Sequence, residues 1–420
     1  MTEGLVSGLT ASDPLDIGDV LTAAYVHIPF CRRRCFYCDF PISVVGDRLR
    51  GETSRSIQTY VEDLCREIRA TPSLGQPLSS IFFGGGTPSL LSGPQVWQIL
   101  DTLTQQFGVA DNPEISMEMD PATFDLAHIS AYRQAGVNRV SLGVQAFQDE
   151  LLQACGRTHC RADIKVAIAL IRDANIENWS LDLIAGLPHQ TLTQWQTTLA
   201  EAIALGPQHI SAYDLVLEPG TVFGKRFDPG EAPLPNDELT AQMYRIASTT
   251  LQGAGYDHYE ISNYAQSGYA CRHNQVYWRN GSYYGFGMGA TSYVQGKRFS
   301  RPRTRDAYGQ WLATYLETGC IDAPIASAAD RLFETFMLGL RRLQGVNLQP
   351  LGLWGSSTIA TTFRQHLDPY CTAGWVQFSP DGTMSLTDPE GFLFSNQVLV
   401  TVWQALTEPQ PATVQAELRF

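Results

Sequence analysis

Between residues 21 and 255 short apolar runs alternate with helix-forming stretches six times, and this rhythm restricts the fold more than any other feature. Strands joined through helices lie parallel in one sheet, because a parallel return needs a long crossover. The strands are predicted at 23–30, 80–84, 114–120, 139–145, 179–185 and 209–217. In the sixth unit Asn236 and Asp237 offer caps, Leu239, Met243, Ile246, Ala247 and Leu251 recur at helical spacing, and Gly253 and Gly255 end the pattern. Six units predict an α/β fold, a partial (β/α)6 TIM-like barrel, after a tail over 1–20. An aromatic and glycine-rich stretch at 256–309 is expected to close the open side with irregular structure. Residues 310–420 are expected to form a small α+β domain, for which a winged-helix arrangement is one form. Its helices are predicted at 311–318, 328–340 and 392–406, and its strands at 374–379 and 384–386. A chain of 420 residues with 44% hydrophobic content can bury cores for both parts.

Three cysteines follow the first strand at C-x3-C-x2-C spacing, Cys31, Cys35 and Cys38. A structural zinc wants four protein ligands, and no fourth thiolate lies nearby. Three closely spaced thiolates fit an iron-sulfur cluster with one iron left open. The remaining six cysteines are scattered and read as buried or idle thiols. Gly84-Gly85-Gly86-Thr87-Pro88 follows the second strand, and Glu118, Gln145 and Asp182 lie near the ends of the next three. In a βα barrel the carboxyl ends of the strands build the active site, so five units aim functional groups at one face. A net charge of −13 argues against a nucleic-acid partner. No apolar run approaches transmembrane length. The first 24 residues carry Glu3, Asp13, Asp16 and Asp19 without Lys or Arg, unlike a secretory or transit signal. With free cysteines, this gives an expectation of a reducing cytoplasm.

The segments Tyr25 to Cys31, Gly84 to Pro88, Ser141-Leu142-Gly143-Val144-Gln145, Arg157-Thr158-His159 and Asp182 to Pro188, in this order and spacing, resemble the radical S-adenosylmethionine superfamily. More narrowly, they resemble the oxygen-independent coproporphyrinogen III oxidase-like family. The resemblance covers nearly the whole chain. It implies a 4Fe-4S cluster on Cys31, Cys35 and Cys38, with the open iron chelating the methionine part of S-adenosylmethionine. It implies that Tyr25 and Tyr37 flank the cluster and nucleoside. Gly85, Gly86, Thr87, Glu118, Gln145, Arg157, Asp182 and the backbone of Val216 would contact the cofactor.

Two features separate branches of that family. The oxidases usually carry a fourth cysteine two positions after the third, where this chain has Phe40, which cannot ligate. His273-Asn274-Gln275-Val276-Tyr277-Trp278 matches the HNxxYW motif of the haem chaperone branch. Imidazole is a standard axial ligand of haem iron, and Tyr277 and Trp278 could pack on a porphyrin face. Cys271 is an alternative ligand. The resemblance therefore implies a haem chaperone that passes haem to acceptor proteins. Its implied partners include a reductant such as flavodoxin or ferredoxin, and a homodimer is left open. The alternatives are a coproporphyrinogen III oxidase, or another radical enzyme on the same barrel such as a methyltransferase or cyclopropane-forming enzyme.

Overall fold

The computed structural model describes residues 20–47 and 50–407, so the expected tail over 1–20 lies outside the described residues except for Val20. Six parallel strands form the centre of the fold: β1 (Ala23–Ile28), β2 (Leu78–Gly85), β3 (Val109–Met119), β4 (Arg139–Gln145), β5 (Asn178–Ala185) and β6 (His209–Asp214). Helices α1 (Arg55–Ala70), α2 (Gly93–Phe107), α3 (Leu126–Ala135), α4 (Arg161–Asp173), α5 (Leu192–Leu205) and α6 (Asp237–Gly253) follow them in turn. Side-chain caps set where several helices begin. The Ser54 hydroxyl accepts from the Ile57 N–H at α1, and Ser92 with Gln95 and Thr191 with Gln194 form capping boxes at α2 and α5.

The alternation along each strand decides what the barrel holds. Ala24, Val26, Ile81, Phe83, Ile115, Met117, Val140, Leu142, Leu181, Leu183 and Ile210 are buried on one face and join the apolar core with the helices. Register places the intervening residues on the other face: Tyr25 beside Phe82, Ser116 beside Arg139, Ser141 beside Ser180, and Asp182 beside Ser211. Side chains alternate across a strand, so this inner face is polar from β2 to β6.

The first strand is predicted to reach Phe30 but ends at Ile28. Pro29 has no N–H for a ladder, and Phe30–Cys31 pairs separately with Ser43–Val44. The sixth strand stops at Asp214, leaving Leu215 to Leu217 in a loop.

Residues 256–309 depart from the expected irregular structure. Strands β7 (Asp257–Glu260) and β8 (Asn263–Ala265) form an antiparallel ribbon whose β8 pairs with β6. A seven-residue helix, α7 (Arg272–Trp278), follows, and then β9 (Tyr284–Phe286) runs parallel to β1 at the opposite edge. The sheet order is β9-β1-β2-β3-β4-β5-β6-β8-β7, and β9 and β7 are not paired with each other. Strands of three or four residues are too short to show a period, which hid them in the sequence.

Helix α8 (Arg305–Thr318) packs on α1 and buries Tyr308, Leu312 and Tyr315 in the barrel's core, so the division expected at residue 310 falls inside it. Helices α9 (Ala328–Gly339), α10 (Thr358–Thr372) and α11 (Ser395–Thr407) surround a second core with a three-stranded antiparallel sheet, β10 (Val346–Asn347), β11 (Val376–Phe378) and β12 (Thr383–Leu386). Helix α10 escapes sequence reading because Pro369 interrupts its pattern near the end. Tyr244 of α6 belongs to this second core, and Arg245 donates to Glu390 at 2.7 and 3.0 Å, which ties the two parts together.

Candidate functional site

The cysteine loop begins where β1 ends. Its turn is closed by the Cys38 N–H donating to Cys35 O, and the Arg34 guanidinium donates to the carbonyls of Cys38 and Phe40. The Phe36 N–H donates to Cys155 O, fixing the loop to the segment after β4. Cys31, Cys35 and Cys38 are free and half-buried. Thr87 donates to Cys31 Sγ at 3.5 Å and Arg157 to Cys35 Sγ at 3.4 Å. Burial pushes the Cys31 thiol up to about 12 and raises Cys38 as well, so these sulfurs ionise only when a cation compensates. Among the described residues, no three Cys, His or carboxylate side chains converge on one ion position. In a cluster each thiolate takes its own iron, so three separated sulfurs beside an arginine fit a 4Fe-4S cluster and do not fit one zinc ion.

The glycine loop faces the cysteines. Gly85 has φ +109°, and a Cβ there would collide with the His27 ring. Its N–H donates to Glu118 Oε2 at 3.0 Å. His27 is held neutral: burial lowers its pKa to about 4, Nε2 donates to Pro41 O, and Nδ1 accepts from the Tyr25 hydroxyl. Burial, reinforced by the Asp182 charge, raises Glu118 to about 7. Asp182 is raised by burial too, although the Ser141 hydroxyl donates to its carboxylate. Gln145 sits at φ +67°, at a register shift after Gly143, a backbone state that costs a non-glycine residue about 1 kcal/mol. Arg157 is pinned between the cysteine loop and Asp120, donating to Asp120 Oδ1 at 2.8 Å and to Gly143 O at 2.9 Å. Burial alone would raise Asp120, but Arg157 and His159 hold it below the usual carboxylate range.

The opposite end of the barrel carries helix α7. Glu114 of β3 caps this helix, accepting from the N–H groups of Arg272 and His273 at 3.0 Å and from the Cys271 thiol. This cap drives the His273 ring into the barrel, where Ser80 Oγ meets Nδ1 at 3.0 Å and the Tyr277 hydroxyl meets Nε2 at 2.8 Å. Burial, with the nearby Arg139 charge, lowers His273 to about 3.

One cavity of about 840 Å³ runs between these ends. It is lined by Tyr25, Cys31, Cys35, Tyr37, Cys38, Gly85, Gly86, Thr87, Glu118, Gln145, Arg157, Asp182, Val216, His273 and Tyr277, which includes every residue expected at the site except Trp278. Trp278 lies outside that lining, with the Arg341 guanidinium 5.8 Å from its ring centre. Sequence reading quoted Ser141 and His159 within motifs without a role of their own and missed Asp120, Arg139, His209 and Ser211. For the strand residues the available signal was polar residues at every second position of strands whose other residues are apolar.

With this geometry in hand, comparison with known proteins separates the family from its neighbours. The radical SAM superfamily profile matches residues 25–202. Heme chaperone HemW of Synechocystis sp. is 49% identical over 409 residues, covering 92% of this chain and 97% of that protein. This chain belongs to the HemW family. Heme chaperone HemW of Escherichia coli is 38% identical, covering 76% of this chain and 82% of its own. The solved structure of Escherichia coli coproporphyrinogen III oxidase (HemN), a radical SAM enzyme, superposes with a TM-score of 0.74 over 94% of this chain and 92% of its own, at 21% identity. That likeness establishes the shared partial barrel. Membership of the radical SAM family implies a 4Fe-4S cluster and S-adenosylmethionine. No helix among the described residues is long and apolar enough to cross a membrane.

Proposed function

We propose that this chain is a haem chaperone, holding a 4Fe-4S cluster and S-adenosylmethionine at one end of its cavity and haem toward the other, and passing the haem to acceptor proteins. The HemW relatives support the reading, and one observation carries it. His273 of the HNxxYW helix is buried in the same cavity that the three cysteines line. Its lowered pKa keeps the imidazole neutral, the form that ligates iron. Ligation through Nε2 requires that Tyr277 release its hydrogen bond.

Cys31, Cys35 and Cys38 hold the cluster in this reading, and the cluster supplies an open iron for the methionine end of S-adenosylmethionine. Gly85 and Gly86 let the backbone approach that cofactor, Thr87, Arg157 and Gln145 surround it, and Glu118 and Asp182 present carboxylates to it. Tyr25 and Tyr37 flank it, and Val216 offers its backbone from the loop after β6. A flavodoxin- or ferredoxin-type reductant, a cytoplasmic location and a homodimer belong to the same reading. Tyr277 lines the cavity beside His273, and Trp278 follows it on the same helix, outside that lining.

Anaerobic titration of haem into the cluster-loaded protein and its His273→Ala variant, followed by visible absorption, tests the reading. Saturable, near-stoichiometric binding that is lost or spectrally altered in the variant is expected. Equal, weak and non-saturating spectra for both would remove it.

A further inference from the structure

Four strands, β3 to β6, each leave one buried polar atom of the inner face without a hydrogen-bond partner: Ser116 Oγ, Arg139 Nε, Asn178 Oδ1 and His209 Nδ1. Register makes Ser116, Arg139 and Asn178 cross-strand neighbours, and His209 lies beside Ser180, the next inward residue of β5. Buried polar groups are normally paired, so the two of these that line the cavity, Arg139 and His209, unpaired among the described residues, point to a ligand.

Charge says what kind of ligand. Arg139 is 2% exposed and lines the cavity, yet the carboxylates nearest it, Glu114 and Asp182, form no ion pair with it among the described residues. Glu114 is already committed to the start of α7. A guanidinium removed from water without a partner is costly, and an anion offsets that cost. His209 adds a second donor. The Tyr259 hydroxyl accepts from the Cys271 N–H at 3.3 Å and meets His209 Nε2 at 2.9 Å; assigning its own proton to Nε2 places the imidazole proton on Nδ1. Burial, with the Arg139 charge, pushes His209 well below its ordinary pKa, which keeps the ring neutral.

We propose that Arg139, with His209, forms a carboxylate subsite at the floor of the cavity, and that its occupant is a propionate side chain of the tetrapyrrole. The proposal rests on the haem reading above and adds an orienting contact that does not involve iron. A planar guanidinium receives a carboxylate through two parallel hydrogen bonds, so the subsite would fix which edge of the macrocycle enters first.

Metal-free protoporphyrin IX and its dimethyl ester separate the carboxylate contact from iron ligation. Both are titrated into the cluster-loaded wild type, Arg139→Gln and Arg139→Lys, with tryptophan quenching as readout. The wild type should prefer the free acid about tenfold or more, Arg139→Gln should lose that preference, and Arg139→Lys should keep part of it. Affinity for S-adenosylmethionine should be unchanged in Arg139→Gln. A wild type that does not distinguish acid from ester, or a preference that survives in Arg139→Gln, overturns the proposal. So does a loss in Arg139→Gln of S-adenosylmethionine binding alone, which would give the subsite to that cofactor's carboxylate. If haem fails to bind saturably while the acid preference depends on Arg139, the chaperone reading falls and the subsite stands. Should neither porphyrin bind the wild type, both fall.

Discussion

Glu118 offers the sharpest test of how the cofactor end is built. Burial and the neighbouring Asp182 raise this carboxyl from 4.5 to about 7, while the Gly85 N–H opposes the rise. The folded pKa lies above the unfolded one, so between these values the folded chain keeps a proton that the unfolded chain has lost. Stability therefore falls as pH rises from 4.5 through 7, and above 7 the full cost, about 3 kcal/mol, is present. Glu118→Gln removes the titrating charge and keeps an oxygen for the Gly85 N–H. It should raise the melting temperature of the cluster-free protein at pH 8 and leave it nearly unchanged at pH 4.5. The same shift governs ligand binding. S-adenosylmethionine carries a net positive charge and favours the ionised carboxylate, so protonation competes with it. Affinity measured by calorimetry should be about tenfold weaker at pH 6 than at pH 8, with proton release on binding near pH 6.5. Glu118→Gln should bind weakly at every pH, with the tenfold dependence gone. Wild-type affinity that is flat between pH 6 and 8, or a pH dependence unchanged by Glu118→Gln, refutes the argument that this carboxyl is buried, protonated and turned toward the cofactor.

Replacing Cys35 by Ala should abolish the iron-sulfur absorption while far-ultraviolet circular dichroism stays native, because the apolar core lies on the outer face of the sheet; a full cluster in the variant would end the ligand assignment. Gly85→Val should block S-adenosylmethionine binding by an order of magnitude or more, since Gly85 has positive φ and its Cβ position is filled by the His27 ring. Unchanged affinity would reduce the loop to a turn. Tyr277→Phe deletes the hydrogen bond that competes with iron for His273 Nε2. A net bond of about 1 kcal/mol predicts roughly fivefold tighter haem binding, measured by absorption titration, and weaker binding would make the hydroxyl a haem contact.

The parts of the site that sequence revealed are those whose chemistry shows in local spacing. Cys31, Cys35 and Cys38 carry their meaning within eight residues, and Gly85 and Thr87 within a single loop. Arg139 and His209 could not be found that way. They lie far apart in the chain and line one cavity only because the parallel strands that they begin turn them to the same face of the sheet. His273 was visible as a motif, but its depth was not, since Glu114, 159 residues earlier, caps α7 and turns the ring inward. The first strand was predicted two residues too long because Pro29 lies in an apolar run that otherwise reads as continuous strand.

The polar inner face explains how two sites can share one barrel. A closed (β/α)8 barrel fills its interior with layers of branched apolar side chains and keeps chemistry at one end. Here β2 to β6 each turn a serine inward, Ser80, Ser116, Ser141, Ser180 and Ser211, where such layers would place Val or Leu. Small hydroxyl side chains leave volume, and two of them, Ser141 and Ser211, line the passage between the cysteine loop and the floor. The core surrendered inside is replaced outside, where the other strand face and six helices form the large apolar cluster. A rigid outer wall around a polar interior suits the proposed pairing of a charged cofactor with a carboxylate-bearing ligand. Substituting Ser141 by Val should therefore close the passage more effectively than it stabilises the fold. Asp182 accepts from the Ser141 hydroxyl as well as from that of Ser211, and removing the former leaves a buried carboxylate with one donor fewer.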